Sequence, residues 1–267
     1  MAFEAVGIDS LLIVALLVAI VAFFYSNLGL GGGQLYVPIM DLFFVSLVMR
    51  EIVPLSLFFA FATMVSSTYS HSKKQLVDFR LGITLAAAGL FGVVGGVLFT
   101  TSVQENIVKG AFATLLVVVA TKMMYDNYRA RDEPNPSPTN FSTKTKLAGM
   151  GVSVLTGFLV GSLGIGGGVV SVPLIIYVFK IQTRKAIGTS ALMGAILTPA
   201  ALAAYAVNGG AAIHVDLALT LTPIIFVMAI IGSSWGLARL RTRVVKVIFT
   251  CGVYLAAAEM VYSLLAQ

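Results

Sequence analysis

The sequence predicts an all-α polytopic membrane protein of about ten transmembrane helices, two of them short, arranged as two inverted five-helix repeats. Three observations predict it. Of the 267 residues, 58% are hydrophobic and 10% charged, where a soluble domain carries about 25% charged residues. Long apolar runs, such as 11–25 and 81–100, recur along the chain and match the length a bilayer requires. Finally, the run Asn27-Leu28-Gly29-Leu30-Gly31-Gly32-Gly33-Gln34-Leu35-Tyr36-Val37-Pro38 returns as Ser162-Leu163-Gly164-Ile165-Gly166-Gly167-Gly168-Val169-Val170-Ser171-Val172-Pro173. Every glycine and the proline are displaced by 135 residues.

Hydropathy places the helices near 9–28, 34–48, 53–71, 80–100 and 106–126, then 146–163, 168–179, 186–206, 215–237 and 243–264. No Lys or Arg precedes the first apolar run, only Glu4 and Asp9. The first segment is therefore expected to be retained rather than cleaved as a signal peptide. The second and seventh segments follow the glycine blocks and are short for a full crossing. Three successive glycines cost a helix about 3 kcal/mol relative to alanine, so each block reads as a break. Breaks at matching places in two halves of a hydrophobic chain point to a transporter's binding site. The stretch 129–145 contains Arg131-Asp132-Glu133-Pro134-Asn135-Pro136-Ser137-Pro138, a charged, proline-rich linker. It divides the chain into a first repeat (1–128), a linker (129–145) and a second repeat (146–267).

Charge sets the orientation. The net charge is +6, but the basic residues are scattered between apolar segments, which argues against nucleic acid and for topology determinants. With ten crossings and both termini outside, 15 of the 17 basic residues fall on the inner side, leaving Arg50 and Lys109 outside. That distribution predicts a multi-pass protein of the cell (inner) membrane with the 129–145 loop in the cytoplasm.

The duplication extends beyond the glycines. Residues 50–56 pair with 184–190, Gly92 and Gly96 with Gly232 and Gly236, and Lys109 with Lys246. Five crossings is an odd number, so the second repeat enters the membrane upside down, with a site expected near mid-membrane between the halves. The single Cys251 excludes an internal disulfide framework.

Each block ends one helix and opens another. The first amides of the new helix lack intrahelical partners, and the helix end carries roughly half a positive charge, so each is a ready anion cradle. The predicted substrate-binding residues are Gly31, Gly32, Gly33 and Gln34 in the first half, with Gly166, Gly167, Gly168 and Ser171 in the second. Thr189 and Ser190 add hydroxyls. Pro38 and Pro173 are placed in or near the first helical turn, where a missing N–H costs little. Asp41, Lys122 and Glu259 are candidates for ion coupling, Lys122 and Glu259 as partners across the pseudo-twofold axis. His71 and His214 are placed at loop edges, too few for a metal site.

The paired LGxGGGxxxVP blocks, the run Arg184-Lys185-Ala186-Ile187-Gly188-Thr189-Ser190 and the chain length resemble the sulfite exporter TauE/SafE family, the sulfonate permeases. The resemblance spans nearly the whole chain. It implies secondary transport of sulfite, sulfoacetate or related small sulfur-containing anions, usually by export. The alternatives are an anion channel, or an importer of another small oxyanion or carboxylate. An enzyme is not indicated: there is no HExxH, no glycine block ends in Lys-Ser/Thr, and Gly33 is followed by Gln34 rather than completing a dinucleotide fingerprint. No cofactor is called for. The partners implied are a small anion, the bilayer, and protons or another coupling ion. The glycine-lined helix faces suit intramolecular packing or a homodimer.

Overall fold

The computed structural model describes residues 8–44, 47–128, 141–208 and 214–239, together with 254, 257, 258, 261 and 262. Among the described residues there are nine helices and no strand: α1 (Ile8–Leu28), α2 (Gly33–Phe43), α3 (Met49–Ser72), α4 (Phe79–Ser102), α5 (Glu105–Tyr128), α6 (Thr143–Leu163), α7 (Gly168–Phe179), α8 (Thr183–Asn208) and α9 (Val215–Arg239). They fall on the first nine segments expected from hydropathy. The tenth, 243–264, and the linker core, 129–140, lie outside the described residues apart from isolated positions. Six helices, α1, α3, α4, α6, α8 and α9, contain stretches long and apolar enough to cross a bilayer.

The boundaries shift where local chemistry overrides hydropathy. The second helix stops at Phe43 instead of reaching residue 48. The third starts at Met49, because the Glu51 carboxylate accepts from the Val48 amide at 3.2 Å and caps the first turn. Pro54 sits inside that helix. Pro38 and Pro173 are also not in the first turn. Each is the sixth residue of its short helix, so the ring removes the amide that would have bonded to the carbonyl of Gln34 or Val169.

In a bilayer the lipid is as apolar as leucine, so helices associate through close packing rather than through the hydrophobic effect. The α4–α6 crossing shows how. A Cβ placed on Gly92 would overlap the Val154 carbonyl oxygen, one on Gly96 the Phe158 carbonyl, and one on Gly157 the Gly89 carbonyl. Backbone therefore meets backbone along the crossing. Thr100 also donates to the Ser162 carbonyl across it, at 2.6 Å. The α1–α9 crossing uses the same device, with Gly232 against the Phe23 carbonyl. Large side chains such as Phe91, Leu12, Leu155 and Leu219 are left exposed on the outer surface, where a membrane protein presents them to lipid.

Other contacts recur in pairs. α3 packs on α8, α3 on α9 as α4 on α8, α2 on α3 as α7 on α8, and α1 on α2 as α6 on α7. In these contacts α1 to α4 have the neighbours that α6 to α9 have, while the counterpart of α5 lies outside the described residues.

Gly92→Ala is expected to lower the unfolding midpoint of the detergent-solubilised protein by several degrees. Overpacking of this kind costs about 1–3 kcal/mol, and a chain of 150–250 residues shifts by about 2–4 °C per kcal/mol. Gly95→Ala on the same helix, where the nearest atom to an added Cβ is 3.7 Å away, is expected to leave the midpoint unchanged or raise it. A melting curve for each variant checks this.

Candidate functional site

The two glycine blocks cross each other at the centre of the bundle. Gly32 and Gly167, the N-caps of α2 and α7, adopt left-handed conformations with φ of 91° and 83°. A side chain would cost about 1–2 kcal/mol there. The approach between the blocks is as demanding as the dihedrals. A Cβ on Gly31 would lie 3.0 Å from the Gly166 Cα, one on Gly33 would overlap the Gly164 carbonyl, and one on Gly168 the Gly29 carbonyl. Only bare backbone fits. The surrounding residues, 28–34 and 161–168, are buried throughout.

Two serines tie the crossing, one from each half. Ser56 on α3 donates to the Gly164 carbonyl at 3.2 Å, and Ser190 on α8 donates to the Gly29 carbonyl at 3.2 Å. The two bonds exchange under the 134–135 residue displacement of the duplication. Ser56 was legible as the counterpart of Ser190 in the 50–56 and 184–190 match, although the sequence reading took only Ser190 as a site residue.

Each helix tip keeps unused donors. The Gly32 carbonyl accepts from the Leu35 and Tyr36 amides, and the Gly167 carbonyl from those of Val170 and Ser171. That leaves the Gly33 and Gln34 amides on α2, and the Gly168 and Val169 amides on α7, without a hydrogen-bond partner among the described residues. Gln34 adds a second unmet need. Its side chain is 1% exposed, and neither its Nε2 nor its Oε1 has a partner. A buried polar group left unsatisfied costs about 1–3 kcal/mol, so this carboxamide carries an unmet hydrogen-bonding demand. Its counterpart in the second half, Val169, offers no polar group. Tyr36 closes the first tip from the side: an added Cβ on Gly32 would strike its ring, and its hydroxyl shares a 2.9 Å hydrogen bond with Thr63. Tyr25 of α1 lies within electrostatic reach of it.

The structure brings together Gly31, Gly32, Gly33, Gly166, Gly167 and Gly168, with Gln34 beside them. Ser171 and Ser190 are near, but they bond to each other at 2.7 Å, and Ser190 is committed to Gly29. Ser190 thus ties the second half to the first, and Ser171 braces it from within the second half. Thr189 is not at the crossing. It accepts from the Asp78 amide at 3.0 Å and donates to the Lys185 carbonyl at 2.8 Å, so it serves the junction of α8 with the start of α4.

The ionisable candidates divide as well. Asp41, near the end of α2, forms an ion pair with Lys109 of α5 at 3.0 Å, the two side chains being 5% and 6% exposed, and Glu105 approaches the same ammonium at 3.4 Å. In the sequence Lys109 reads as a charge outside the membrane and a counterpart of Lys246, not as a partner of Asp41, because nothing local links positions 68 residues apart. Lys122 lies on α5, but its side chain is outside the described residues, as is Glu259. His71 does sit at a helix end, in the last turn of α3 just before the 73–75 turn, but it is fully buried there. His214 lies 3.8 Å from Glu51. Among the described residues no His, Cys, Asp and Glu cluster suited to a metal occurs.

The family described as sulfite exporter TauE/SafE matches residues 14–260. A protein of Methanocaldococcus jannaschii described as a probable membrane transporter is 28% identical over 228 residues, covering 82% of this chain and 80% of that one. A Bacillus subtilis protein described in the same words is 24% identical over 260 residues, covering 89% and 92% respectively. No solved structure matches the chain.

Ser56→Ala and Ser190→Ala are each expected to destabilise the folded protein by about 1 kcal/mol, the scale of one intramolecular hydrogen bond, because each serine ties its half to the other. A variant whose melting temperature equals that of wild type, measured side by side, contradicts the tie at that serine.

Proposed function

The chain belongs to the sulfite exporter TauE/SafE family and is a membrane transporter, and from that premise we propose that it is a secondary carrier of small sulfur-containing anions, such as sulfite, sulfoacetate or related organosulfonates. The proposed direction is export. In this reading the anion binds at mid-membrane between the tips of α2 and α7, with two unpaired backbone amides at each tip and the Gln34 carboxamide taking its oxygens. One observation carries the proposal: a fully buried, unpartnered Gln34 beside free amides at the start of a broken helix. A compact oxyanion supplies what that tip lacks, several acceptor oxygens and a negative charge.

The two halves are proposed to be inverted repeats that rock about the glycine crossing to expose the site to one side at a time. The reciprocal serine ties and the paired helix contacts support that reading. So does the length of α2 and α7, 11 and 12 residues. At about 1.5 Å per residue each spans about half of the roughly 30 Å hydrocarbon core. The backbone-to-backbone packing of the two blocks favours a carrier over a channel, since bare backbone fills the axis that a pore would occupy. The inner membrane, with both termini outside and the 129–145 loop in the cytoplasm, is the location proposed from the distribution of Lys and Arg.

A thermal-shift screen of purified protein against sulfite, sulfoacetate, thiosulfate, sulfate and small carboxylates tests the substrate class. Sulfite or a sulfonate is expected to give the largest stabilisation, and Gln34→Leu to weaken that binding at least about tenfold, the scale of one hydrogen bond to a charged group. A preference for carboxylates overturns the substrate class. For the topology, Ser137→Cys in a Cys251→Ser background is expected to react with an impermeant maleimide only in permeabilised cells, and Gln104→Cys in intact ones. The reverse pattern overturns the orientation.

A further inference from the structure

The inner third of α3 carries polar residues that the carrier site does not use. Ser67 donates to the Ser26 carbonyl of α1 at 2.5 Å. Ser66 reaches the Phe226 carbonyl of α9 at 3.3 Å. Ser70 accepts from Ser233 of α9 at 2.6 Å and lies 3.3 Å from Ser234. His71 completes the set, fully buried. Its Nδ1 lies 2.8 Å from the Ser67 carbonyl. A carbonyl only accepts, so Nδ1 carries the ring proton, and neutral imidazole then presents a bare lone pair at Nε2. Nε2 is buried and has no hydrogen-bond partner among the described residues.

The duplication supplies the control. At a displacement of 134 residues, Ser66, Ser67, Ser70 and His71 correspond to Ala200, Ala201, Ala204 and Tyr205. Tyr205 is buried and satisfied, donating to the Gly161 carbonyl at 2.8 Å, and Gly161 is the counterpart of Ser26. The same packing position thus works with alanines and a satisfied phenol. Three serines and an imidazole with an unmet nitrogen are peculiar to the first half and are not required by the architecture. A buried imidazole within a membrane bundle is a functional residue by default.

From this we infer that His71 Nε2 is a proton-binding site, and that one proton moves with each anion. This inference rests on the carrier reading above, though not on its direction: a proton carried with the anion makes net flux follow the proton gradient, inward where the outside is more acid. The lone pair takes a proton from the aqueous side to which the site is open and the ring becomes an imidazolium; Nδ1–H stays on the Ser67 carbonyl, and the proton leaves on the opposite side with the anion. The imidazolium offsets the anion's charge while both are in the bundle. The fixed charge nearest the ring is positive and disfavours the imidazolium, so the anion is what stabilises it. Lys73 and Lys74 lie beyond the end of α3, Lys74 acting on the ring electrostatically, while Lys73 sits over the Tyr69 ring at 4.2 Å. At the facing ends of α8 and α4, Lys185 and Asp78 are paired at 3.6 Å. α1 and α9 face α3 here with hydroxyls and carbonyls. Among the described residues no carboxylate pairs with His71.

The chain has two histidines, which makes the site directly readable. In the His214→Gln variant labelled with 15N-histidine, the spectrum reports His71 alone. The expected result is one acceptor-type ring nitrogen at neutral pH, converting to N–H as the pH falls between about 8 and 5. Methanesulfonate, whose own charge is constant over that range, is expected to shift the transition upward. An imidazole unchanged throughout, with and without the anion, overturns the inference. In proteoliposomes an outside-acid gradient is expected to drive sulfoacetate accumulation by the wild type, while His71→Gln keeps sulfoacetate exchange but loses gradient-driven accumulation at least tenfold. Accumulation by His71→Gln equal to wild type, or wild-type accumulation indifferent to the gradient, also overturns it. If no sulfur anion binds, the substrate reading fails, whereas the titration of His71 in the empty protein still decides the proton site.

Discussion

Two stretches of glycine backbone pass in contact at the middle of the bundle, and most of the structure follows from that constraint. Without Cβ atoms, Gly31 and Gly166 approach closely, and Gly33 and Gly168 sit against carbonyls of the opposite block. The left-handed N-caps at Gly32 and Gly167 then turn the chain so that a new helix begins in the interior rather than at a membrane surface. Helix tips with free amides are normally solvated at a surface. Burying them creates an electropositive need that lipid cannot meet and an anion can.

The same crossing makes the halves mutually dependent. Gly29 receives its hydrogen bond from Ser190 and Gly164 from Ser56, so neither half completes its own break. α3 and α8, which carry those serines, pack on one another, and the glycine-lined α4–α6 and α1–α9 crossings brace the outside.

Symmetry of frame is combined with asymmetry of chemistry. The backbone donors are duplicated, whereas the polar side chains are not: Gln34 faces a tip whose counterpart has Val169, Tyr36 stands where the other half has Ser171, and His71 where it has Tyr205. Duplication of the frame provides two helix tips, and divergence of the side chains gives each its own chemistry. The Asp41–Lys109 pair follows the same rule, with Ile176 at the position corresponding to Asp41.

The helical class, the nine described segments, the two breaks and the glycines that line the crossing were all legible in the amino-acid order, because each depends on local composition, on glycine's missing side chain or on a repeat visible along the chain. What the order of residues left undetermined depends on neighbours distant in the chain. Thr189, Ser171 and Ser190 read as ligand hydroxyls until packing gave them backbone and serine partners. Asp41 read as a lone carboxylate until α5 brought Lys109 to it, and His71 read as an ordinary loop-edge residue until packing buried it fully. A hydrogen bond or ion pair in a membrane interior is defined by which groups are left without water, and only the folded arrangement of the helices decides that.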